Sequence, residues 1–173
     1  FYLDVIVAPV SLHIAMAKVM LQDNVKVSSQ NVSMYGTGAY TGEIAAEQLV
    51  DFDIEWTIIG HSERRNLFHE DNETVGKKVK NALEAGLNVI LCIGETLDQR
   101  ESNTTNDVLK EQLDAVKDSV NDWSKVVIAY EPVWAIGTGK VATPEQAQET
   151  QNYVRTWIKE KVSEEVAAST RII

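Results

Sequence analysis

The chain has 173 residues, of which 44% are hydrophobic and 24% are charged, and its formal net charge is −10. This length and balance suit one globular domain, whereas the acidic charge disfavours nucleic acids and anionic membranes, which require a basic face on their partners. The single cysteine, Cys92, excludes an internal disulfide framework and a cysteine-based metal cluster, so a reducing, cytoplasmic setting is expected.

Short β-type runs alternate with amphipathic segments along the whole chain. An apolar run opens at Phe1, and the following runs begin near Val25, Ile54, Leu87 and Lys125, with a sixth opening at Arg171. Near-continuous apolar runs are typical of strands buried on both faces of a parallel sheet. The alternation with helical patterns therefore predicts an α/β fold with a parallel sheet. Because the sequence starts inside one apolar run and stops inside another, we expect the natural chain to be longer.

Helix boundaries are signalled at three places. Thr143 followed by Pro144 predicts an N-cap and a first helical residue, and Gly86 predicts a helix end. Ser62 predicts the N-cap of a short helix after the third strand. The glycine-bearing stretch from Asn31 to Thr41 has no periodic pattern, and long connections of this kind are usually functional.

Two polar residues at strand ends are candidates for acid–base chemistry. In parallel α/β folds the reactive groups gather at the carboxyl ends of the strands, where His61 and Glu131 lie. A histidine at a helix N-terminus is favoured in its neutral form, which can donate a hydrogen bond to a carbonyl group. A carboxylate in an apolar environment is a useful base. The alternatives are a capping or buried histidine and a strand-end acid paired with a nearby Lys or Arg.

Two long motifs carry a specific family resemblance. YEPVWAIGTGK (130–140) and IGHSERR (59–65) occur in order with QNVSMYGTGAYTGE (30–43), LNVILCIGE (87–95) and RII (171–173). Together they resemble the triosephosphate isomerase family, whose fold is a (β/α)8 TIM barrel. The resemblance implies that residues 1–173 are a single incomplete barrel domain covering roughly strands 2 to 7. The family's Asn and Lys on the first strand, and its Tyr-Gly-Gly-Ser after the seventh, are not among these residues. We therefore expect the segment alone to be inactive.

The resemblance also implies a reaction and the residues that perform it. The reaction is proton transfer between dihydroxyacetone phosphate and glyceraldehyde 3-phosphate, with Glu131 as base, His61 as neutral electrophile and Glu63 as a further catalytic acidic residue. Gly137 would meet the substrate phosphate through its backbone N–H, and Glu95 would receive Trp134 when the lid is open. The lid comprises a first hinge, a tip and a second hinge: Pro132, Val133 and Trp134; Ala135, Ile136, Gly137, Thr138 and Gly139; Lys140, Val141 and Ala142.

Assembly and alternative functions follow from the same resemblance. It implies a cytoplasmic homodimer without cofactor or metal, in which the loop from Asn31 to Glu43 inserts into a partner subunit. The interface residues would be Tyr40, Thr41, Gly42, Glu43 and Arg64, with Arg64 pairing with Glu43 across the interface. The alternatives are a non-catalytic sugar-phosphate-binding barrel and an interaction module built around that loop. A solvent-exposed connection is the other interpretation of the loop itself.

Overall fold

The computed structural model describes residues 3–173, and the strands within that range lie side by side in chain order. They are β1 (Val5–Val7), β2 (Val25–Ser29), β3 (Trp56–Ile59), β4 (Asn88–Ile93), β5 (Val126–Tyr130) and β6 (Arg171–Ile172). All neighbours are parallel in one sheet of order β1-β2-β3-β4-β5-β6. The predicted α/β class with a parallel sheet is confirmed. Phe1 and Tyr2, which open the first apolar run, lie outside the described residues.

Helices connect the strands on the outer face of the sheet. They are α1 (Ile14–Met20), α2 (Ala46–Asp51), α3 (Ser62–Leu67), α4 (Asn72–Ala85), α5 (Leu97–Glu101), α6 (Thr105–Lys117), α7 (Pro144–Lys161) and α8 (Glu164–Ser169). Two predicted boundaries are confirmed. Thr143 and Gln146 form a reciprocal capping box before Pro144, and α4 ends at Gly86, which has a left-handed backbone with φ of 102°.

The hydrophobic core lies between the sheet and these helices. Val75, Val79 and Ala82 recur at helical spacing on α4 and are fully buried. Leu109 and Leu113 do the same on α6, and they pack in the core that also holds alternate residues of β4 and β5. Each buried valine or leucine among them stabilises the fold by about 1.5–3 kcal/mol through burial. The core therefore fixes the helices against the sheet and holds the strand ends in place.

The sheet is curled rather than flat, which an ion pair between its two edges demonstrates. Arg171 on β6 donates from Nη1 to Oδ2 of Asp4, just before β1, at 2.6 Å. In a flat sheet of six strands these residues would lie about 24 Å apart. Both side chains are largely exposed, so the pair adds little stability and serves here as a marker of curvature. The curl brings the carboxyl ends of the strands around one rim.

Candidate active site

The rim at the carboxyl ends of the strands carries the residues that the sequence singled out. His61 follows β3, Glu95 follows β4, and Glu131 follows β5 directly. The backbone N–H of Glu131 donates to the carbonyl of Ile93 at 2.8 Å, which extends the pairing of β5 with β4 by one residue. Because β3, β4 and β5 are adjacent, the two acid–base candidates, His61 and Glu131, share one part of the rim with Glu95.

His61 and Glu131 are in direct contact. Nε2 of His61 lies 2.8 Å from Oε1 of Glu131, and the backbone N–H of Ser62 donates to Oε2 of Glu131 at 2.9 Å. The histidine side chain is 33% exposed and the glutamate side chain 15% exposed. The carboxylate is therefore shielded from bulk water while the imidazole remains accessible from outside. Oε2 of the carboxylate thus accepts a backbone N–H, and Oε1 is in contact with the imidazole.

The helix cap at this position differs from the prediction. α3 begins at Ser62, and its N-cap is His61, because Nδ1 of His61 accepts a hydrogen bond from the backbone N–H of Glu63 at 3.3 Å. Ser62 cannot cap from inside the first turn, and its N–H is taken by Glu131. An imidazole that accepts at Nδ1 carries its proton on Nε2, where it can donate to Glu131. The cap therefore selects the tautomer that faces the carboxylate.

Glu63 lies beside His61 and points away from Glu131. Its carboxylate Oε2 is 3.7 Å from Nδ1 of His61, and its side chain is 71% exposed. The structure therefore brings Glu63 to the imidazole on the side opposite the base. Its role in the chemistry stays a prediction.

The segment predicted as a lid follows Glu131 and precedes α7. Pro132 leads into a short 3₁₀ turn over Val133–Ala135, and residues 136–142 have no regular structure. Ile136, Gly137, Thr138 and Gly139 are exposed at its tip, and Thr138 hydrogen-bonds the carbonyl of Trp134 at 2.7 Å. Lys140 and Val141 are exposed as well. Gly137 is therefore accessible at the tip, while its predicted contact with phosphate remains untested.

Trp134 holds the first hinge of the lid against Glu95. Glu95 is fully buried, and its Oε1 accepts from Nε1 of Trp134 at 3.0 Å, from the hydroxyl of Tyr130 at 3.0 Å and from Arg100 at 2.9 Å. The guanidinium of Arg100 also lies over the ring of Trp134, 4.8 Å from its centroid. A buried carboxylate requires such compensation. The predicted pairing of Trp134 with Glu95 is present, whereas sequence analysis missed Tyr130 and Arg100.

Gly94 allows the base to sit where it does. A Cβ at Gly94 would lie 1.9 Å from the carbonyl oxygen of Glu131, far inside contact distance. The end of β4 therefore has no side chain at the point where the backbone of Glu131 crosses it. Sequence analysis did not single out this glycine, although its place directly before Glu95 at a strand end was visible.

The loop between β2 and α2 borders the same site. Tyr40, Thr41, Gly42 and Glu43 are exposed along it. A cavity of about 630 Å³ is lined by Gly42, Glu43, His61, Glu63 and Arg64, among others. The structure thus brings three predicted interface residues next to two predicted catalytic residues.

The loop is also tied to α4, and Arg64 has a partner within the chain. Lys78 donates to Oδ1 of Asn31 at 2.8 Å, and Arg64 pairs with Glu70 at 2.6 Å. Arg64 therefore has an acidic partner in this chain before any subunit is added. Its predicted pairing with Glu43 of a neighbour stays a prediction.

The half-buried Arg65 and the buried Cys92 shape the electrostatics behind Glu131. Arg65 donates from Nε to the carbonyl of Gly60 at 2.8 Å and from Nη1 to Asn72 at 2.8 Å. Burial lowers the pKa of Arg65, partly offset by Cys92 and Glu131. Burial raises the pKa of the Cys92 thiol, and the negative charge of Glu131 adds to that rise. The surroundings of Glu131 thus combine a nearby guanidinium with a thiol held neutral.

The described part of the chain, residues 3–173, holds neither a metal-binding cluster nor a membrane-spanning helix. Within that range there is no group of three or more His, Cys, Asp or Glu side chains arranged to hold a metal ion. The helices of the same range are all too short or too polar to cross a bilayer.

Comparison with known proteins agrees with the site. A family model described as "Triosephosphate isomerase" matches residues 2–173. The chain is 54% identical to "Triosephosphate isomerase, chloroplastic" of Secale cereale over 170 residues, covering 98% of this chain and 57% of that protein. It is 53% identical to "Triosephosphate isomerase, cytosolic" of Oryza sativa subsp. japonica, covering 98% and 67%, and 52% identical to "Triosephosphate isomerase" of Paracoccidioides lutzii, covering 98% and 69%. The chain thus spans between about half and about two thirds of the length of its relatives. It belongs to the triosephosphate isomerase family.

Proposed function

We propose that the protein carrying this chain interconverts dihydroxyacetone phosphate and D-glyceraldehyde 3-phosphate by proton transfer through an enediolate. The contact of 2.8 Å between His61 Nε2 and Glu131 Oε1 carries this proposal, because it joins a shielded carboxylate to an imidazole at the ends of two strands of one sheet. The names of the relatives indicate the substrate class, a triose phosphate. The reaction would serve glycolysis and gluconeogenesis.

Glu131 is the proposed base and His61 the proposed hydrogen-bond donor. Proton abstraction from carbon needs a free carboxylate oxygen. Glu131 must therefore lose either its contact with His61 or its hydrogen bond from the Ser62 N–H when substrate binds. The Nε2–H of His61 then turns to the substrate oxygens, where it stabilises the negative charge of the enediolate. Glu63 is the proposed further acidic residue and lies on the other side of the imidazole, where its backbone N–H donates to Nδ1.

The lid is proposed to close over the bound substrate. Its hinge is held at Trp134 by the indole hydrogen bond to Glu95 and by the guanidinium of Arg100 over the ring, whereas its tip is exposed and free to move. Once closed, the backbone N–H of Gly137 would reach the phosphate, and the lid would exclude water from the enediolate. Exclusion of water disfavours loss of phosphate from that intermediate.

The wider architecture is proposed on the same basis. The six parallel strands correspond to strands 2 to 7 of an eight-stranded barrel, since their order and curl suit that closure. Tyr40, Thr41, Gly42, Glu43 and Arg64 form a homodimer interface beside the His61 cavity, without cofactor or metal. We propose a cytoplasmic location, for which the cytosolic relative in Oryza sativa offers a parallel.

The test uses the protein expressed from its natural coding sequence. Isomerase activity is measured in both directions with coupled dehydrogenase assays for wild type, Glu131→Asp and the exposed control Glu145→Asp. We expect Glu131→Asp to lower kcat by about 10²-fold or more, because the shorter side chain misplaces the carboxylate by about 1 Å. The control should match wild type. Affinity for a phosphate-bearing enediolate mimic should survive in Glu131→Asp.

Two results would contradict the proposal in different ways. A wild-type protein that binds the mimic but shows no turnover is a sugar-phosphate-binding barrel. A Glu131→Asp variant with full turnover would move the base to another residue.

A further inference from the structure

Gln112 makes an unusual pair of contacts with the end of β4. Its side chain projects from α6 and is 7% exposed. Oε1 of Gln112 accepts from the backbone N–H of Gly94 at 2.9 Å, and Nε2 donates to the carbonyl of Gly94 at 3.0 Å. One amide therefore satisfies both backbone groups of one residue, which fixes the orientation of Gly94 relative to α6.

Gly94 is the residue against which the base-bearing backbone is packed. The carbonyl oxygen of Glu131 occupies the space where a side chain of Gly94 would begin, 1.9 Å from an ideal Cβ. The N–H of Glu131 donates to Ile93, the residue before Gly94. The backbone of Glu131 is thus bonded through its N–H to Ile93 and packed through its carbonyl against Gly94, the residue whose two backbone groups Gln112 binds.

Backbone satisfaction alone does not require a glutamine here. A cavity of about 170 Å³ lies beside these groups and is lined by Gly94, Gln112 and Glu131, among others. That volume can hold water molecules, and water can hydrogen-bond to the N–H and carbonyl at a strand end equally well. Water would leave Gly94 free to shift, whereas a side-chain amide anchored in a packed helix restrains it. The choice of glutamine therefore adds rigidity where the base is carried.

We infer that Gln112 is a positioning residue for the isomerisation proposed above, and the inference rests on that proposed function. Its amide fixes Gly94, and Gly94 fixes the backbone from which the Glu131 carboxylate projects. Glu95, which follows Gly94 and holds Trp134, lies on the same restrained segment. The hydrogen bonds of the Gln112 amide go to Gly94 and not to His61 or Glu131, so it acts through Gly94.

The test measures kcat and KM separately in the protein expressed from its natural coding sequence. Gln112→Met removes both hydrogen bonds with little change in volume, and Gln112→Glu keeps the acceptor for the Gly94 N–H and loses the donor. The control is Val116→Ala, one turn along α6, which is fully buried and removes core packing only. All variants are assayed well below their unfolding midpoints.

We expect Gln112→Met to lower kcat about 10- to 100-fold with KM within about twofold of wild type, since a small displacement of the base affects the chemical step. Gln112→Glu should lower kcat by at least about fivefold, because it removes one hydrogen bond and sets a carboxylate oxygen against the Gly94 carbonyl. Val116→Ala should reduce stability without lowering kcat.

Gln112 variants that keep wild-type kcat, or a Val116→Ala variant that loses kcat to the same extent, would overturn the inference. If Gln112→Met does not fold, Gln112→Glu decides alone. A wild-type protein without isomerase activity would instead overturn the proposed function, and the positioning role with it.

Discussion

Nε2 of His61 lies 2.8 Å from Oε1 of Glu131, while Nδ1 of the same ring accepts from the N–H of Glu63 at 3.3 Å. One imidazole therefore caps a helix with one nitrogen and faces the proposed base with the other. The capping interpretation and the catalytic interpretation of His61 are compatible, because the cap sets the tautomer that the chemistry needs.

His61→Gln should separate these two roles. Glutamine keeps a hydrogen-bond donor at a similar reach, but its amide cannot exchange a proton with the enediolate oxygens. We expect kcat to fall by about 10²- to 10⁴-fold with little change in KM. The exposed His13 supplies the control, since His13→Gln should leave steady-state kinetics unchanged. Full activity in His61→Gln would reduce the histidine to a helix cap.

Gly94→Ala should damage the site through a backbone collision. The new methyl group would meet the carbonyl oxygen of Glu131 at 1.9 Å, so β4 and β5 must separate at their ends. Overpacking of this kind costs about 1–3 kcal/mol in stability, and a shift of about 1 Å at the base costs about 10²-fold in kcat.

The matched control for that substitution is Gly86→Ala. Gly86 has φ of 102° but open space around its Cβ position, so alanine strains the chain without a collision. The expected cost is about 1–2 kcal/mol in stability with kcat unchanged, as measured by urea denaturation and steady-state assays. Equal kinetic losses in both variants would show that global destabilisation explains the Gly94 effect.

Lys78→Met should leave the buried carboxylate of Glu70 without one of its two cationic partners. Lys78 and Glu70 are almost completely buried, and Nζ of Lys78 lies 2.6 Å from Oε1 of Glu70. Burial lowers the pKa of Lys78, while its hydrogen bond to Glu70 opposes that change. Removing one partner of a buried ion pair costs about 3–5 kcal/mol, although Arg64 still contacts the acid. Lys78 also anchors Asn31, so the loop after β2 should become more sensitive to proteases.

Lys80→Met is the control on the same helix. Its side chain is 59% exposed and its ion pair with Glu84 is long at 3.9 Å, so the free energy of unfolding should change by no more than about 0.5 kcal/mol. Urea denaturation at one fixed protein concentration provides both values. If Lys78→Met proved as stable as this control, the charge pair would contribute nothing beyond its own desolvation.

Cys92 should make unfolding depend on pH in the alkaline range. Burial raises its pKa above the ordinary 9.0, so the unfolded chain loses this proton first. The stabilisation is fully present below pH 9 and is lost as pH rises toward the folded pKa, at a slope of up to about 1.4 kcal/mol per pH unit. Unfolding measured at several pH values should show a shallower decline in Cys92→Ala than in wild type. Identical slopes would contradict the assignment.

The same thiol should be chemically inert in the folded protein. Cys92 is 3% exposed and neutral at pH 8, so iodoacetamide should modify it only after unfolding in urea. Mass spectrometry of native and unfolded samples distinguishes the two cases.

The fold and the central pair of the site were predictable because both depend on chain order. The parallel strands lie side by side in chain order, so only β4 separates the end of β3 from the end of β5. His61 and Glu131 could therefore be expected on the same rim. The N-cap residue of α3 could not be assigned from the neighbouring sequence alone. Ser62 and His61 can both cap a helix, and the choice follows from Glu131, far away in sequence, taking the Ser62 N–H.

The supporting residues escaped prediction because their partners are distant. Gln112 lies among Leu109, Leu113 and Val116 on the apolar side of α6, and Lys78 lies among the apolar residues of α4. A polar residue on an apolar helical face is a visible signal that something buried must be satisfied. The sequence does not identify the partner of either residue. Only the packing of the folded chain shows that Gln112 binds Gly94 and that Lys78 binds Glu70.

The order of the strands has a consequence for how the protein is made. Every strand pairs with the one that precedes it in sequence, from β1 to β6. As the chain leaves the ribosome, each new strand and helix therefore finds its docking surface already synthesised. Assembly can proceed from the amino terminus without waiting for distant segments, which limits the time that unpaired strand edges are exposed to other chains. Glu131, which follows β5, is added late, onto a rim that already holds His61.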